Sequence, residues 1–132
     1  LHQQGGRTIS AWDVMNAPPR VLADVVKTKV GFTPCYLSLD IDCLDPSCAP
    51  GTGTPEIGGL SSLFVMEFLK HLLPRIQWIG MDCVEVAPSY DSGGVTALAA
   101  ATFVWCYVNA MASRMSPLRS NMGVWRRAVD RL

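Results

Sequence analysis

The chain has 132 residues, with 11 basic and 11 acidic side chains and a formal net charge of zero. This length suits one domain with one core, and the balanced charge gives no indication of a nucleic-acid or acidic partner. The five cysteines are scattered and form no C-x-x-C pair, which argues for reduced thiols in a cytosol-like compartment.

The first elements predict a crossover unit. Residues 8–14 predict a short strand, and Pro18-Pro19 fits the start of a helix with Asn16 as its cap. Apolar residues recur at helical spacing up to Val30, and Gly31 ends the pattern. A further strand follows with no hairpin turn before it, so we expect parallel strands joined by a right-handed crossover.

An acidic pair lies where that further strand ends. Residues 36–41 read Y-L-S-L-D-I, and Asp45-Pro46 stops the run. Asp40 and Asp42 are two apart, so on a continuous strand they point to the same face. Two bare carboxylates repel each other, so we expect a hard cation such as Mg²⁺, Ca²⁺ or Mn²⁺ beside them. The plainer alternative is that the pair caps a helix or faces water.

A loop and a helix follow the acidic pair. Residues 46–60 are rich in Pro, Gly and Thr and predict a structured loop over the ligand-binding edge of the sheet. No G-K-S/T follows, which excludes a phosphate-binding loop. Ser61 or Ser62 is expected to cap a helix that runs through Leu73. The expected buried stripe of this helix is Leu60, Phe64, Phe68 and Leu72.

Residues 76–84 predict the next strand, which is expected to bring Asp82 and Glu85 to the edge that carries the aspartate pair. A glutamate there can hold a cationic group through charge-assisted hydrogen bonds. The plainer alternative for Glu85 is a surface position in a loop. Asp82 is expected to support the site rather than to bind a metal, and His71 is expected at the protein surface.

Residues 92–113 contain no charged side chain. Such a length could cross a bilayer, but the alanine-rich first half and the interspersed Thr and Asn residues favour a buried helix of a soluble protein. Residues 114–132 form a basic tail whose apolar positions could line one face of a short helix. This tail either docks on a neighbouring subunit or is a weakly ordered end.

Three blocks of the sequence resemble one known family. Residues 38–55 read S-L-D-I-D-C-L-D-P-S-C-A-P-G-T-G-T-P, and residues 80–91 read G-M-D-C-V-E-V-A-P-S-Y-D. Both are similar to signatures of the ureohydrolases, the arginase and agmatinase superfamily. Residues 96–102, T-A-L-A-A-A-T, resemble the opening of the last helix of that family. The resemblance covers residues 8–113 and is closest to the agmatinases.

The resemblance implies a three-layer α/β/α fold with a parallel sheet. Residues 1–113 would be the C-terminal portion of this domain, and residues 114–132 a basic tail. The resemblance also implies two Mn²⁺ ions that share a hydroxide, which attacks the guanidinium carbon and releases urea and an amine. In that scheme Asp40 bridges both ions, Asp42 binds one of them, and both are catalytic, while Glu85 binds the substrate.

The expected activity is therefore manganese-dependent hydrolysis of agmatine to putrescine and urea, with guanidinobutyrate as the alternative substrate. The family takes its other metal ligands from G-G-D-H and D-A-H-x-D segments, and neither occurs in this sequence. We therefore expect this chain alone to be an inactive portion of a longer protein.

The full-length protein is expected to be a homo-oligomer in the cytoplasm or the mitochondrial matrix, with no nucleic-acid or membrane partner. Two other classes stay open. One is a catalytically dead assembly partner with the same fold, and the other is a membrane-associated helical segment.

Overall fold

A computed structural model describes residues 6–115. In chain order its α-helices and strands are α1 (Ala11–Asn16), α2 (Pro19–Val30), β1 (Cys35–Asp40), α3 (Ser62–Leu72), β2 (Trp78–Val84) and α4 (Val95–Met115). The strands β1 and β2 pair in parallel, with Ser38 opposite Asp82 and Asp40 opposite Val84. The predicted α/β class with a parallel sheet is thus confirmed.

The first element is a helix, so the strand predicted for residues 8–14 is wrong. The side chain of Ser10 accepts a hydrogen bond from the backbone N–H of Asp13, which is the arrangement that starts a helix. This local cap outweighs the weak apolar pattern of the segment. The predicted cap of α2 is also wrong, because the Asn16 side chain donates instead to the carbonyl of Trp12.

Two predicted helix boundaries are confirmed. Gly31 follows α2 with a φ of 60°, in the left-handed region that glycine enters at little cost. Its N–H donates to the carbonyl of Lys27 at 2.9 Å. Ser61 caps α3, because its hydroxyl oxygen accepts a hydrogen bond from the N–H of Phe64 at 3.1 Å.

The buried face of α3 differs from the predicted stripe. The buried side chains of this helix are Val65, Leu69 and Leu72, whereas Phe64 and Phe68 are only partly buried. Because α3 packs against both α2 and α4, two neighbours together decide which side is covered. Periodicity along a single helix does not contain that information.

The main core lies between the helices and one face of the sheet. Leu37 and Leu39 of β1 point into it, together with Met81 and Cys83 of β2. The buried members of this core beyond the strands are Ile41, Leu44, Ala49, Val65, Leu69, Leu73, Ala100 and Phe103. A smaller cluster of Ala23, Leu72 and Ile76 joins α2 to α3. The described residues thus form a sheet and the helical layer on one of its faces.

The helix α4 is apolar on more than its core side. Thr96, Ala100 and Phe103 are buried, whereas Leu98 and Trp105 are well exposed. Within residues 6–115, this helix alone is long and apolar enough to cross a membrane by length and composition. Core helices of soluble proteins pass the same test. The predicted tail lies outside the described residues from residue 116 onwards, and its boundary with the domain stays a prediction.

Candidate functional site

The aspartate pair lies at the carboxyl end of β1, but not on a continuous strand. β1 ends at Asp40, and Ile41–Cys43 forms a 3₁₀ turn. Oδ1 of Asp40 caps this turn by accepting a hydrogen bond from the backbone N–H of Asp42 at 3.3 Å. The two carboxylates are therefore neighbours, as predicted, but strand alternation is the wrong reason. The capped turn brings them together.

The residue between the two aspartates anchors the turn. Ile41 is 0% exposed and packs with Leu39 and Leu44 in the core. With the central side chain held inside, the flanking carboxylates lie at the rim of the sheet, where Asp40 is exposed and Asp42 half-buried. The burial of one apolar side chain thus determines the presentation of two polar ones.

Thr54 belongs to the site, although the sequence reasoning did not single it out. Its hydroxyl donates a hydrogen bond to Oδ2 of Asp42 at 2.7 Å. This bond ties the Gly- and Thr-rich loop to the acidic pair and orients the carboxylate. The signal in the sequence is the position of Thr54 in the G-T-G-T-P part of the signature block.

Glu85 follows β2 directly and has an unusual backbone. Its φ of 65° is the only positive value at a non-glycine position within residues 6–115, and such a conformation costs about 1–2 kcal/mol when a Cβ is present. Strain of this kind concentrates at functional sites. The pairing of Asp40 with Val84 brings Glu85 beside the acidic pair. The three residues therefore lie at the same end of the two paired strands.

The electrostatics of this edge follow from the three carboxylates. Although Asp40 is largely exposed, partial desolvation raises its pKa above the ordinary value. The hydrogen bond from the N–H of Asp42 acts to lower the pKa, whereas the Asp42 carboxylate and then the charge of Glu85 act to raise it. Burial, followed by the charges of Asp40 and Asp42, raises the pKa of the Cys43 thiol to about 11. The edge therefore has a concentrated negative potential, which suits a metal cation or a cationic substrate.

Asp82 lies inside β2 rather than at the edge, so its predicted placement there is wrong. It is opposite Ser38, two residues before the Asp40–Val84 pair. Its Oδ2 accepts a hydrogen bond from the Tyr36 hydroxyl at 3.3 Å, and its Oδ1 is buried with no hydrogen-bond partner among the described residues. Desolvation and then the Asp82 carboxylate raise the pKa of Tyr36.

The loop beyond the acidic pair is clamped to the start of α4. The N–H of Gly51 donates to Oγ1 of Thr96 at 2.8 Å, and the Gly51 carbonyl accepts from the N–H of Ala87 at 2.8 Å. The Asp91 carboxylate accepts from the N–H groups of Thr96 and Ala97, each at 2.9 Å. Although desolvation acts to raise the pKa of Asp91, these hydrogen bonds lower it.

Asp45 organises the other side of the loop. Its carboxylate accepts hydrogen bonds from the N–H groups of Ser47 and Gly58, each at 2.9 Å. The bonds to Ser47 and then to Gly58 lower the pKa of Asp45 to about 2. Gly59 passes so close that a Cβ there would lie 2.4 Å from the Asp45 backbone nitrogen. The loop is therefore ordered by its own hydrogen bonds.

Asp40 and Asp42 are ligands of the right chemical type for a metal centre, but the described residues supply too few ligands. Carboxylate oxygens are the ligands that Mn²⁺ prefers. Among residues 6–115, however, no group of three or more His, Cys, Asp or Glu side chains is placed to hold an ion, whereas a hard cation takes about six ligands. His71 lies on α3, with its Nε2 3.8 Å from Oε2 of Glu67. Asp40 and Asp42 therefore do not complete a metal site by themselves.

A model of the arginase family matches residues 1–109. The chain belongs to the arginase family. Among its curated relatives, the agmatinase of Sodalis glossinidius is 58% identical over 77 residues, which is 58% of this chain and 25% of that protein. The agmatinase of Cronobacter sakazakii is 50% identical over 99 residues, which is 70% of this chain and 32% of that protein. The chain thus spans 25–32% of the length of these two arginase-family relatives.

Solved structures agree with this assignment to the arginase family. A protein described as a hypothetical agmatinase from Burkholderia thailandensis has a TM-score of 0.76 and 39% identity, over 83% of this chain and 38% of its own. Proclavaminate amidino hydrolase from Streptomyces clavuligerus has a TM-score of 0.78 and 36% identity, over 87% of this chain and 38% of its own. The predicted arginase-like fold and superfamily are confirmed, and members of this family are hydrolases of guanidino compounds.

Proposed function

We propose that this chain forms part of the active site of a hydrolase that releases urea from agmatine. The observation that carries the proposal is that Asp40, Asp42 and Glu85 all lie where the two parallel strands end, with Asp40 opposite Val84. Ligands of open parallel sheets bind at that edge. The negative potential there favours a guanidinium cation over a neutral or anionic substrate.

Each carboxylate has a distinct role in this proposal. Glu85 binds the guanidinium with two parallel hydrogen bonds and orients its carbon towards the acidic pair. Asp40 and Asp42 are ligands for the manganese ions that the family implies, and Thr54 holds the Asp42 carboxylate in place through its 2.7 Å hydrogen bond. The remaining metal ligands come from outside the described residues, since two carboxylates do not satisfy even one such ion.

The choice of substrate is the finer part of the proposal. Agmatine is supported by the curated relatives, which are agmatinases, and guanidinobutyrate is the alternative. The similarity to a proclavaminate amidino hydrolase indicates that this fold accommodates more than one amidino substrate. Urea release from agmatine, guanidinobutyrate and arginine, compared as kcat/KM, tests the preference.

A chimera provides the test of the site. Residues 8–113 replace the matching segment of the Cronobacter sakazakii agmatinase, and urea release from agmatine is measured with Mn²⁺ present. Glu85→Gln in the chimera should lower kcat/KM about a hundredfold, because one charge-assisted hydrogen bond of the pair is lost. Glu56→Gln, at an exposed loop position, is the matched control and should leave the rate unchanged.

One result would contradict the proposed activity, and another would contradict the expected inactivity of the isolated chain. A chimera that folds and binds Mn²⁺ but hydrolyses no guanidino compound would favour a catalytically dead assembly partner. Stoichiometric Mn²⁺ binding and urea release by the isolated chain would contradict the expectation that this chain is inactive without further polypeptide.

The cellular context is proposed from the relatives. The curated agmatinases that the chain matches are bacterial, which supports a cytoplasmic enzyme and offers no support for the mitochondrial matrix. We propose a homo-oligomer for the full-length protein, without a nucleic-acid or membrane partner. The membrane-associated segment stays the less favoured alternative, and its test is detergent dependence.

A further inference from the structure

The start of α4 joins two segments of the candidate site. Thr96 is 0% exposed, and its Oγ1 accepts a hydrogen bond from the N–H of Gly51 at 2.8 Å. The Gly51 carbonyl accepts a hydrogen bond from the N–H of Ala87, also at 2.8 Å. One buried hydroxyl group is therefore connected, through a single loop residue, to the segment that follows β2.

Both connected segments carry side chains of the candidate site. Ala87 follows closely after Glu85, whose φ of 65° persists only if the surrounding backbone is held in place. Gly51 lies shortly before Thr54, whose hydroxyl donates to Oδ2 of Asp42 at 2.7 Å. The spacing between the proposed guanidinium-binding side and the proposed metal-binding side therefore depends on where Gly51 is fixed.

Packing leaves little room around Gly51. A Cβ at this position would lie 2.4 Å from the Cβ of Asp91, so the loop backbone passes directly against the residue that caps α4. The Asp91 carboxylate accepts hydrogen bonds from the N–H groups of Thr96 and Ala97, each at 2.9 Å. Because Asp91 supplies this cap, the hydroxyl of Thr96 is not needed to start its own helix.

The hydroxyl group of Thr96 is costly at a position without solvent exposure. Valine would fill almost the same space without a polar atom, whereas a buried hydroxyl needs a hydrogen-bond partner. The partner of Thr96 lies 45 positions earlier in the chain, in the loop and not in α4. By contrast, the hydroxyl of Thr102 donates to the Leu98 carbonyl of its own helix.

We propose that Thr96 is a positioning residue of the active site, whose hydroxyl fixes Gly51 and thereby holds the Glu85 segment against the loop that orients Asp42. The catalytic part of this role rests on the proposed function, whereas the coupling rests on the hydrogen bonds alone. A misplacement of about 1 Å between reacting groups can cost about a hundredfold in rate. Since Thr96 is fully buried, it acts through these two segments and not by contact with the substrate.

The kinetic test compares four variants of the Cronobacter chimera at saturating Mn²⁺. Thr96→Val should lower kcat about tenfold or more, because Gly51 loses its anchor, whereas Thr96→Ser keeps the hydroxyl and should stay within about threefold of the parent. Thr102→Val, the same change on the same helix, is the matched control and should leave kcat unchanged. Phe103→Leu, a core truncation at 1% exposure, should lower the melting temperature but not kcat, which separates positioning from a loss of stability.

Hydrogen exchange measures the coupling without metal or substrate. In the 132-residue chain and in the chimera, Thr96→Val should speed exchange of the Ala87 amide about fivefold or more, whereas Thr102→Val should not. The readout is mass spectrometry of peptides that contain this amide. Ala87 donates to Gly51 and not to Thr96, so faster exchange there means that the effect of Thr96 passes through Gly51.

Four results would each overturn the inference: equal kcat values for Thr96→Val and Thr102→Val, no rescue by Thr96→Ser, an equal loss of kcat in Phe103→Leu, or unchanged exchange at Ala87. If Thr96→Val does not fold, Asp91→Asn takes its place, because an amide oxygen and an amide NH₂ cannot accept both hydrogen bonds from the start of α4. An unchanged kcat in Asp91→Asn would then overturn the inference. If the parent chimera hydrolyses no guanidino compound, the proposed function fails, and exchange at Ala87 alone decides whether the coupling exists.

Discussion

Replacement of Ile41 tests the inference that a buried anchor presents the acidic pair. Ile41 is 0% exposed, and truncation to alanine removes three carbons, each contributing about 0.8 kcal/mol of burial. With the cavity term added, Ile41→Ala should lower the free energy of unfolding by about 3–4 kcal/mol, within the usual range for core truncations. Ile41→Val, which removes one methyl group, should cost about 1 kcal/mol.

Urea denaturation followed by far-ultraviolet circular dichroism measures these changes. With a slope of about 1–3 kcal/mol per molar urea, the alanine variant should shift the midpoint by one to several molar. The matched control is Ile57→Ala, since Ile57 is the same residue type at 93% exposure and should change the free energy of unfolding by about 0.5 kcal/mol or less. Equal losses of the free energy of unfolding in Ile41→Ala and Ile57→Ala would refute the inference that Ile41 anchors the turn.

Three further predictions concern the loop and the strained glutamate. Glu85→Gly should be about 0.5–1 kcal/mol more stable than Glu85→Ala in thermal denaturation, because glycine adopts the positive φ without strain but at some entropic cost. If the alanine variant were the more stable, the surrounding structure would not be holding residue 85 at a positive φ. Gly59→Ala should destabilise by about 1–3 kcal/mol or more, since its Cβ would lie 2.4 Å from Asp45 N, whereas Gly53→Ala, with nothing within 4 Å, should be tolerated. The pKa of Asp45 is lowered from 3.8 to about 2, so the stabilising contribution of its carboxylate is present above about pH 4 and is lost as the pH falls through about 2. Asp45→Asn should therefore flatten this part of the profile of stability against pH, measured by acid titration. An unchanged profile would contradict the role of the Asp45 hydrogen bonds.

Local signals in the sequence were sufficient where the cause of the structure is local. Gly31 ends α2 and Ser61 caps α3, because each boundary depends on residues within a few positions of each other. The same logic failed at residues 8–14, where the Ser10 cap was overlooked. For α3, two packing partners decided the buried face, and no pattern along one helix contains that information.

The order of the residues was enough to indicate the family and the parallel α/β class and to single out Asp40, Asp42 and Glu85 as candidates, because signature spacing and strand ends are visible along the chain. Tertiary structure alone decided that a capped turn around buried Ile41 brings Asp40 and Asp42 together, that Thr54 holds Asp42, and that Asp82 lies inside the strand beneath Tyr36. These contacts depend on which strand residues are opposite each other and on which sheet face the helices cover. The register of the two strands and the covering of one sheet face by helices arise only when segments that are distant in the sequence pack together.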